Sequence, residues 1–415
     1  MDERAARPLN PVLAAVYCAI VALVVGYALS YVLTRFGFGV VSAPGDSTHG
    51  PAVFARAGLN LYAAQRVTLV GRGSVPVAPG SEVALDVFAH LTVPLTVWAA
   101  LPAIALLLAG YLSAATQVGK SRSRMALPAV SGGLLYAWVL TGLSHVVRAR
   151  IESFVVPDIG GISANPPSIA FHPSAGSTLL LAGGFGLVFT YLGALIAVRE
   201  GARGSEPGKW WASAKAAMIA ALAVQVLMLS AAGIWLASQP RRADDAPGGR
   251  RIIEMVPAIA GIAYAMVHGA NLTSVVESCL RSDGATRRTF YAGMSLYSGT
   301  RQEQLGKQSV RGAPLRVAVP AAALTALAVV LAGWLAVRWG SRGGSLPTAV
   351  RLAIIHTFYL AAPVALCRLQ LVQGDPLAVS TIALSLSVGW WMMLSFLGVL
   401  VFSMIGAHLA GRRSR

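Results

Sequence analysis

The chain has 415 residues, 56% of them hydrophobic and only 12% charged, with a mean hydropathy of +0.65, which excludes an ordinary soluble domain and places the polypeptide in a bilayer. The formal net charge is +17. Most basic residues lie in short polar stretches between apolar runs, so the charge reads as membrane topology and excludes nucleic acid as a partner.

A helix needs about 20 apolar residues to cross a hydrocarbon core of about 30 Å. Eight segments qualify: residues 12–34, 91–114, 126–147, 177–198, 214–237, 317–337, 352–366 with its flanks, and 382–407. The first is too long for a signal-peptide core and lacks a convincing cleavage site after it, so it reads as a retained anchor. Basic turns follow the second, fourth and sixth spans, at Lys120–Arg124, Arg199–Lys215 and Arg338–Arg351, and the C-terminus carries Arg412, Arg413 and Arg415. With eight spans these stretches share one side, which the positive-inside rule makes cytoplasmic together with both termini. The preference for Arg, Ala and Gly accords with a GC-rich bacterial genome, so the expected location is a bacterial inner membrane.

The second span contains ALPAIALLLAGYLSA from Ala100, and the sixth contains ALTALAVVLAGWLAV from Ala323; eight of the fifteen positions are identical, Gly110 and Gly333 among them. A second echo sets FTYLGALI from Phe189 against LSFLGVLV from Leu394. Together they predict an internal duplication. The outer connections repeat the same pattern, long (36–90), short (148–176), long (238–316), short (368–380). The expected fold is therefore an all-α polytopic membrane protein with eight transmembrane helices. They form two four-helix repeats of the same orientation, residues 1–200 with outer loop 36–90 and residues 201–415 with outer loop 238–316.

Within the outer loops, Pro51–Val67 and Met255–Asn271 read as helices that lie on the interface or dip in without crossing, aligned through Gly58 and Gly269; Arg56 and Arg66 would snorkel. Period-two segments at Ser81–Val87, Arg66–Gly71, Ser168–Phe171, Thr289–Tyr297 and Leu369–Val372 predict strands, and hence a small β-containing extracytoplasmic cap. Gly132, Gly133, Gly142, Gly183, Gly184, Gly186 and Gly193 are candidates for close helix approach. Trp210, Trp211, Trp235 and Trp339 fall near span ends, as an aromatic belt requires, whereas Trp98, Trp138, Trp390 and Trp391 lie further in and read as packing residues. Of the three cysteines, Cys18 lies in an apolar run and reads as a small hydrophobe. Cys279 and Cys367 fall on the same side, so a disulfide between them is open if that side is oxidising.

All sixteen acidic residues fall in termini, loops or the first turn of a span. The middle of every span lacks a carboxylate, which counts against a cation-coupled carrier. His356, near the middle of the seventh span, reads either as a proton-sensitive or ligand-binding position or as an imidazole hydrogen-bonded to a neighbouring helix, the commoner use. Asp86 and His90 are four apart, which would put them on one helix face, with His145, beside Arg148 and Arg150, at the outer end of the third span as a neighbour; together they read as a site for a metal or an anion, the commoner alternative being interfacial anchors or a helix-start carboxylate. Metal ligation needs three or four convergent ligands, and no metal is assigned. Gly119-Lys120-Ser121 fails as a phosphate loop because position 114 is Ala, and no HExxH, GxSxG or strand-borne GxGxxG occurs, so neither an enzyme nor a cofactor is expected. The third outer loop holds eleven Lys and Arg against six acids. Arg241, Arg242, Arg250, Arg251, Arg287 and Arg288 are its candidate contacts to an anionic lipid or protein partner, the alternative being a solvated, partly disordered loop.

One span, a large outer domain and three further spans resemble the layout of the permease subunits of FtsX-like and lipoprotein-releasing transporters, in topology alone. The expected function is a non-catalytic membrane scaffold or accessory subunit that presents an extracytoplasmic docking surface to a protein or lipid. The alternative is a permease component moving a hydrophobic or amphipathic substrate between the repeats, energised by a separate ATPase partner.

Overall fold

The computed structural model describes residues 9–36, 51–76, 84–93, 97–117, 122–151, 169–201, 209–238, 259–280, 286–304, 307–312, 315–339, 344–374, 378–388 and 390–412. Six helices among them are long and apolar enough to cross a membrane. Their outward side chains are large and apolar, Leu180, Leu327 and Trp138 being at least 65% exposed. A surface of that kind needs lipid around it. Trp138 therefore faces outward instead of packing inside the protein as its depth in the span suggests. The chain divides into two compact units, the first comprising Met1–Gly204, Leu280–Gly284 and Gln370–Val379, and the second comprising Ser205–Cys279, Ala285–Leu369 and Ser380–Arg415.

In unit 1 the order is α1 (Pro11–Arg35), α2 (Pro51–Ala64), β1 (Leu69–Pro76), β2 (Ala84–Thr92), α3 (Ala100–Ala115), α4 (Arg122–Leu143), β3 (Ala149–Ile151), β4 (Ile169–Pro173) and α5 (Ala175–Gly201). The 14-residue α2 spans only about 21 Å, too little to cross. It does not lie on a surface, however. Ser30 and Tyr27 of α1 donate to the carbonyls of Ala57 and Phe54 at 2.7 and 2.9 Å, Asn60 donates to Thr34 at 3.0 Å, and the Tyr62 hydroxyl donates to Leu140 O at 2.7 Å. Each of these polar atoms is costly to bury unpaired, so the pairing fixes α2 against α1 and α4. Arg56 and Arg66 are buried with it, and Arg66 donates from Nε to Val93 O, so neither snorkels.

The expected second span begins too early. Leu91 lies in β2, and the helix starts at Ala100 after a single 3-10 turn, Val97–Ala99. The same holds for the expected eighth span, because Ile382 lies in β10 (Ala378–Ser387) and α10 runs Trp390–Arg412. In both places an apolar strand abuts an apolar helix, and hydrophobic content alone does not divide them. The all-α expectation with a small β-containing portion is corrected accordingly: the described residues hold ten strands. Each of the five segments with period-two character contributes to one of them.

The strands of unit 1 are antiparallel in the order β3-β4-β1-β2. Residues 370–374 of β9 (Leu369–Gly374) also belong to this unit and pair with β2, Thr92 opposite Gln370 and Phe88 opposite Gly374. A strand from the second half of the sequence thus completes the first unit.

Unit 2 contains α6 (Lys209–Ser238), α7 (residues 259–267), β5 (Asn271–Leu280), β6 (Thr286–Ser295), β7 (Gly299–Gln304), β8 (Lys307–Arg311), α8 (Leu315–Arg338), α9 (Ser345–Leu366), β10 and α10. Its strands run β10-β5-β6-β7-β8, with β5 through β8 a continuous antiparallel meander. Most of the described residues within 238–316 therefore lie in strands. Cys367 is buried, and the side chain of Cys279 lies outside the described residues.

Helices meet through glycine in both units. A methyl group on Gly110 of α3 would collide with the backbone of Thr190 in α5, and one on Gly193 would meet Leu107 O. In unit 2, Gly333 of α8 abuts Ser403 O, and Gly406 of α10 abuts Val330 O. Gly406, not Gly398, thus occupies the crossing in unit 2; Gly398 has only the Phe402 ring near it. Of the other glycines singled out, Gly133 and Gly186 face each other backbone to backbone and Gly132 packs on α1, whereas Gly142 and Gly184 face open space.

Candidate functional site

Helix α7 ends in a tight left-handed turn. Gly269 sits at φ 90°, its N–H donates to Met266 O at 3.0 Å, and that of Ala270 reaches back to Ala265 O at 2.9 Å. This is a glycine-terminated helix end of the kind that needs a residue without Cβ. It leaves Tyr264 and His268 one turn apart on the same face, their ring centroids 4.7 Å apart and near perpendicular. Gly269 and Gly58 are therefore not equivalent, since Gly58 lies in the middle of α2. The residue that shares Gly269's conformation in unit 1 is Arg66, at φ 62°, with Val67 reaching back to Tyr62 O at 3.1 Å.

His356 of α9 meets this pair. Its Nδ1 lies 3.1 Å from the Tyr264 hydroxyl and its Nε2 lies 3.5 Å from Nδ1 of His268, the two imidazoles making an edge contact at 4.5 Å between centroids. Ser395 of α10 places its hydroxyl 2.6 Å from the same Nδ1 of His268. Tyr264, His268 and His356 are 1%, 2% and 7% exposed. His356 is thus hydrogen-bonded to a neighbouring element, as the structural reading of it requires, yet it is one link of a longer buried chain. Nε2 of His268 is fully buried and has no protein hydrogen-bond partner.

With both rings neutral, the chain has two self-consistent polarities. In the first, Tyr264 donates to Nδ1 of His356, His356 donates from Nε2 to Nδ1 of His268, and Nε2 of His268 carries a proton. In the second, His356 donates from Nδ1 to the Tyr264 oxygen, the Nδ1–H of His268 is shared between Nε2 of His356 and the Ser395 oxygen, and Nε2 of His268 is a bare acceptor. Either way the sequence of groups runs from a hydroxyl through two imidazoles to one open nitrogen. Tyr264, His268 and His356 line a narrow cavity of about 20 Å³ in unit 2, walled otherwise mainly by small and aliphatic side chains such as Ala217, Ala328 and Leu352. Ligand sites for small organic molecules occupy about 300–1,000 Å³, so this one is of another class.

In the turn after α2 of unit 1 stands Gln65, wholly buried, donating from Nε2 to the Tyr136 hydroxyl at 2.9 Å and to Leu61 O at 3.1 Å. Both turns hold a polar side chain that bonds to a residue on another helix; among the described residues of the two clusters only unit 2 has imidazoles.

The remaining expected site residues do not join the cluster. Asp86 and His90 are exposed and lie on strand β2. Their spacing of four still puts them on one face, because a strand alternates with period two, and His90 lies edge-on to Phe88 at 5.9 Å. His145 is exposed in the turn after α4. Among the described residues no three of His, Cys, Asp and Glu converge as metal ligands. Arg241, Arg242, Arg250 and Arg251 lie outside the described residues. Arg287 and Arg288 stand on β6 opposite Ser278 and Glu277, beside an irregularity in β5. Tyr264, His268 and Ser395 were not singled out by sequence, although Tyr-x-x-x-His inside an apolar stretch is a detectable signal.

No protein-family model, curated protein or solved structure matches the chain at a significant level.

Proposed function

We propose that the chain is a non-catalytic scaffold or accessory subunit of a bacterial inner membrane, built as two tandem four-pass modules of the same orientation with both termini cytoplasmic. It presents its strands to a protein partner on the extracytoplasmic side. Three observations support the duplication. Unit 1 runs helix, helix, hairpin, helix, helix, hairpin, helix, and the elements from α6 to α10 run in the same order with one hairpin more. Gly110, Thr190 and Gly193 have counterparts in Gly333, Ser403 and Gly406 at the helix crossing. The second echo then reads FTYLGA from Phe189 against FSMIGA from Phe402, eight residues later than the match from Leu394. Finally, α2 and α7 end in the same backward hydrogen bond.

The observation that carries the functional reading is the additional hairpin, β7–β8. β8 is the terminal strand of its sheet, and Gln302, Gln304, Gln308, Ser309 and Arg311 are exposed along the hairpin, with Val310 at 72%. An edge strand offers a row of backbone donors and acceptors to which a partner's strand can add. The permease alternative has less support, since no carboxylate lies in the middle of an expected span to hold a coupling cation. A photo-crosslinking residue at Val310, used in intact cells, is expected to give a discrete protein adduct. Deleting Lys307–Arg311 should remove the same protein from a native-lipid purification while the chain still folds. A partner retained after that deletion, or adducts to lipid alone, would refute the docking role.

A further inference from the structure

We propose that the cavity beside His268 is a site for a single ordered water, bound at Nε2 of His268 as the open end of the Tyr264–His356–His268 chain. The inference is independent of the docking role. Tyr264 and Nδ1 of His356 satisfy one another, and Ser395 satisfies Nδ1 of His268. Both polarities of the chain leave the same atom, Nε2 of His268, without a protein partner. A fully buried imidazole nitrogen in that condition needs a partner that the side chains do not supply.

The size and lining of the cavity define the partner. A water needs about 10–15 Å³ of space and two or more polar contacts, and the cavity offers about 20 Å³. Thr325 and Ser403 also line it. Their hydroxyls donate to Ala321 O at 2.8 Å and to Leu400 O at 3.2 Å, which leaves the oxygen lone pairs to accept from a water. The water thus receives or donates at Nε2 of His268 and donates to Thr325 or Ser403. A metal ion is disfavoured by composition, because the two imidazoles gain no third ligand from His, Cys, Asp or Glu among the described residues, whereas zinc sites use three or four. The water ends a hydrogen-bonded chain whose polarity can reverse, so the ring protons of both histidines exchange with it.

The test is water-to-imidazole transfer in the full chain, labelled with 15N-histidine in lipid nanodiscs, with His268→Gln identifying the His268 resonance. Strong transfer to Nε2 of His268 is expected, and the paired change Thr325→Val with Ser403→Ala should reduce it by about fivefold or more because the water then loses its other contacts. Thermal unfolding of the double variant establishes that it is folded; if it is not, Ser403→Ala alone is expected to lower the transfer by about half. No transfer in the unaltered chain, or transfer unchanged in the folded variants, overturns the proposal. So does stoichiometric zinc or copper that His268→Gln removes.

Discussion

Leucine at Gly110 or at Gly333 is expected to abolish the folded chain, whereas leucine at Gly142 leaves it intact. At the first two positions even a methyl group would overlap backbone atoms, those of Thr190 and of Ser403. Backbone cannot rotate away as a side chain can, so the two helices must separate along their contact. Overpacking a core by a methylene costs about 1–3 kcal/mol even where side chains can adjust; parting two helices costs more, against a total stability of about 5–15 kcal/mol. Alanine at either position is the graded case, with a loss smaller than leucine's but above about 1–3 kcal/mol. Gly142 is exposed and meets nothing within 4 Å, so it supplies the control. Fluorescence-detected size exclusion after heating measures all five variants, and equal losses at Gly110 and Gly142 would contradict the packing.

The second large effect concerns β9. Proline at Leu371 is expected to cost about 1–3 kcal/mol, because Leu371 is paired with Leu91 of β2 and proline cannot donate to the ladder. A disulfide tests the same pairing without disruption. His90 and Val372 are opposite one another, and paired antiparallel residues lie about 4.5–5.5 Å apart at Cα, within disulfide reach. With cysteines at these two positions and a protease site inserted within Ala202–Gly208, cleavage followed by non-reducing electrophoresis should leave a full-length band, lost on reduction. Two separate fragments under oxidising conditions would mean that β9 pairs elsewhere.

Much of this architecture is legible in residues. RVTLVG and LQLV alternate in the strand period and became β1 and β9. TIALSLSV alternates as well, from Thr381, yet its apolar content merges with WWMMLSFLGVLV and makes one apparent span. The Gly110–Gly333 echo survives in the packing because a glycine at a crossing cannot be moved. In the second echo Gly193 stands at a helix crossing and Gly398 does not, and LSFLGVLV and FSMIGA follow each other in α10, both rich in the residues membrane helices share.

The histidine chain was only half visible. His356 stood out as an ionisable group within a span, but its partners, Tyr264 and His268, come from α7 and the turn that ends it, and a hydrogen bond between residues 88 positions apart leaves no local pattern. Asp86 and His90 show the reverse case. Their spacing was read on a helix, and the strand kept them on one face while leaving them exposed and, among the described residues, apart from any third ligand.

The orientation of the two modules is the claim on which the rest depends, and sided cysteine labelling measures it most directly. Cysteines introduced singly at Ser121 and Ser341, which stand between α3 and α4 and between α8 and α9, are predicted to react with a membrane-impermeant maleimide only from the cytoplasmic side, and one at Val310 only from the opposite side. Labelling of Ser121→Cys and Ser341→Cys from different sides would contradict two modules of the same orientation, and with them the placement of the strands on one face of the membrane.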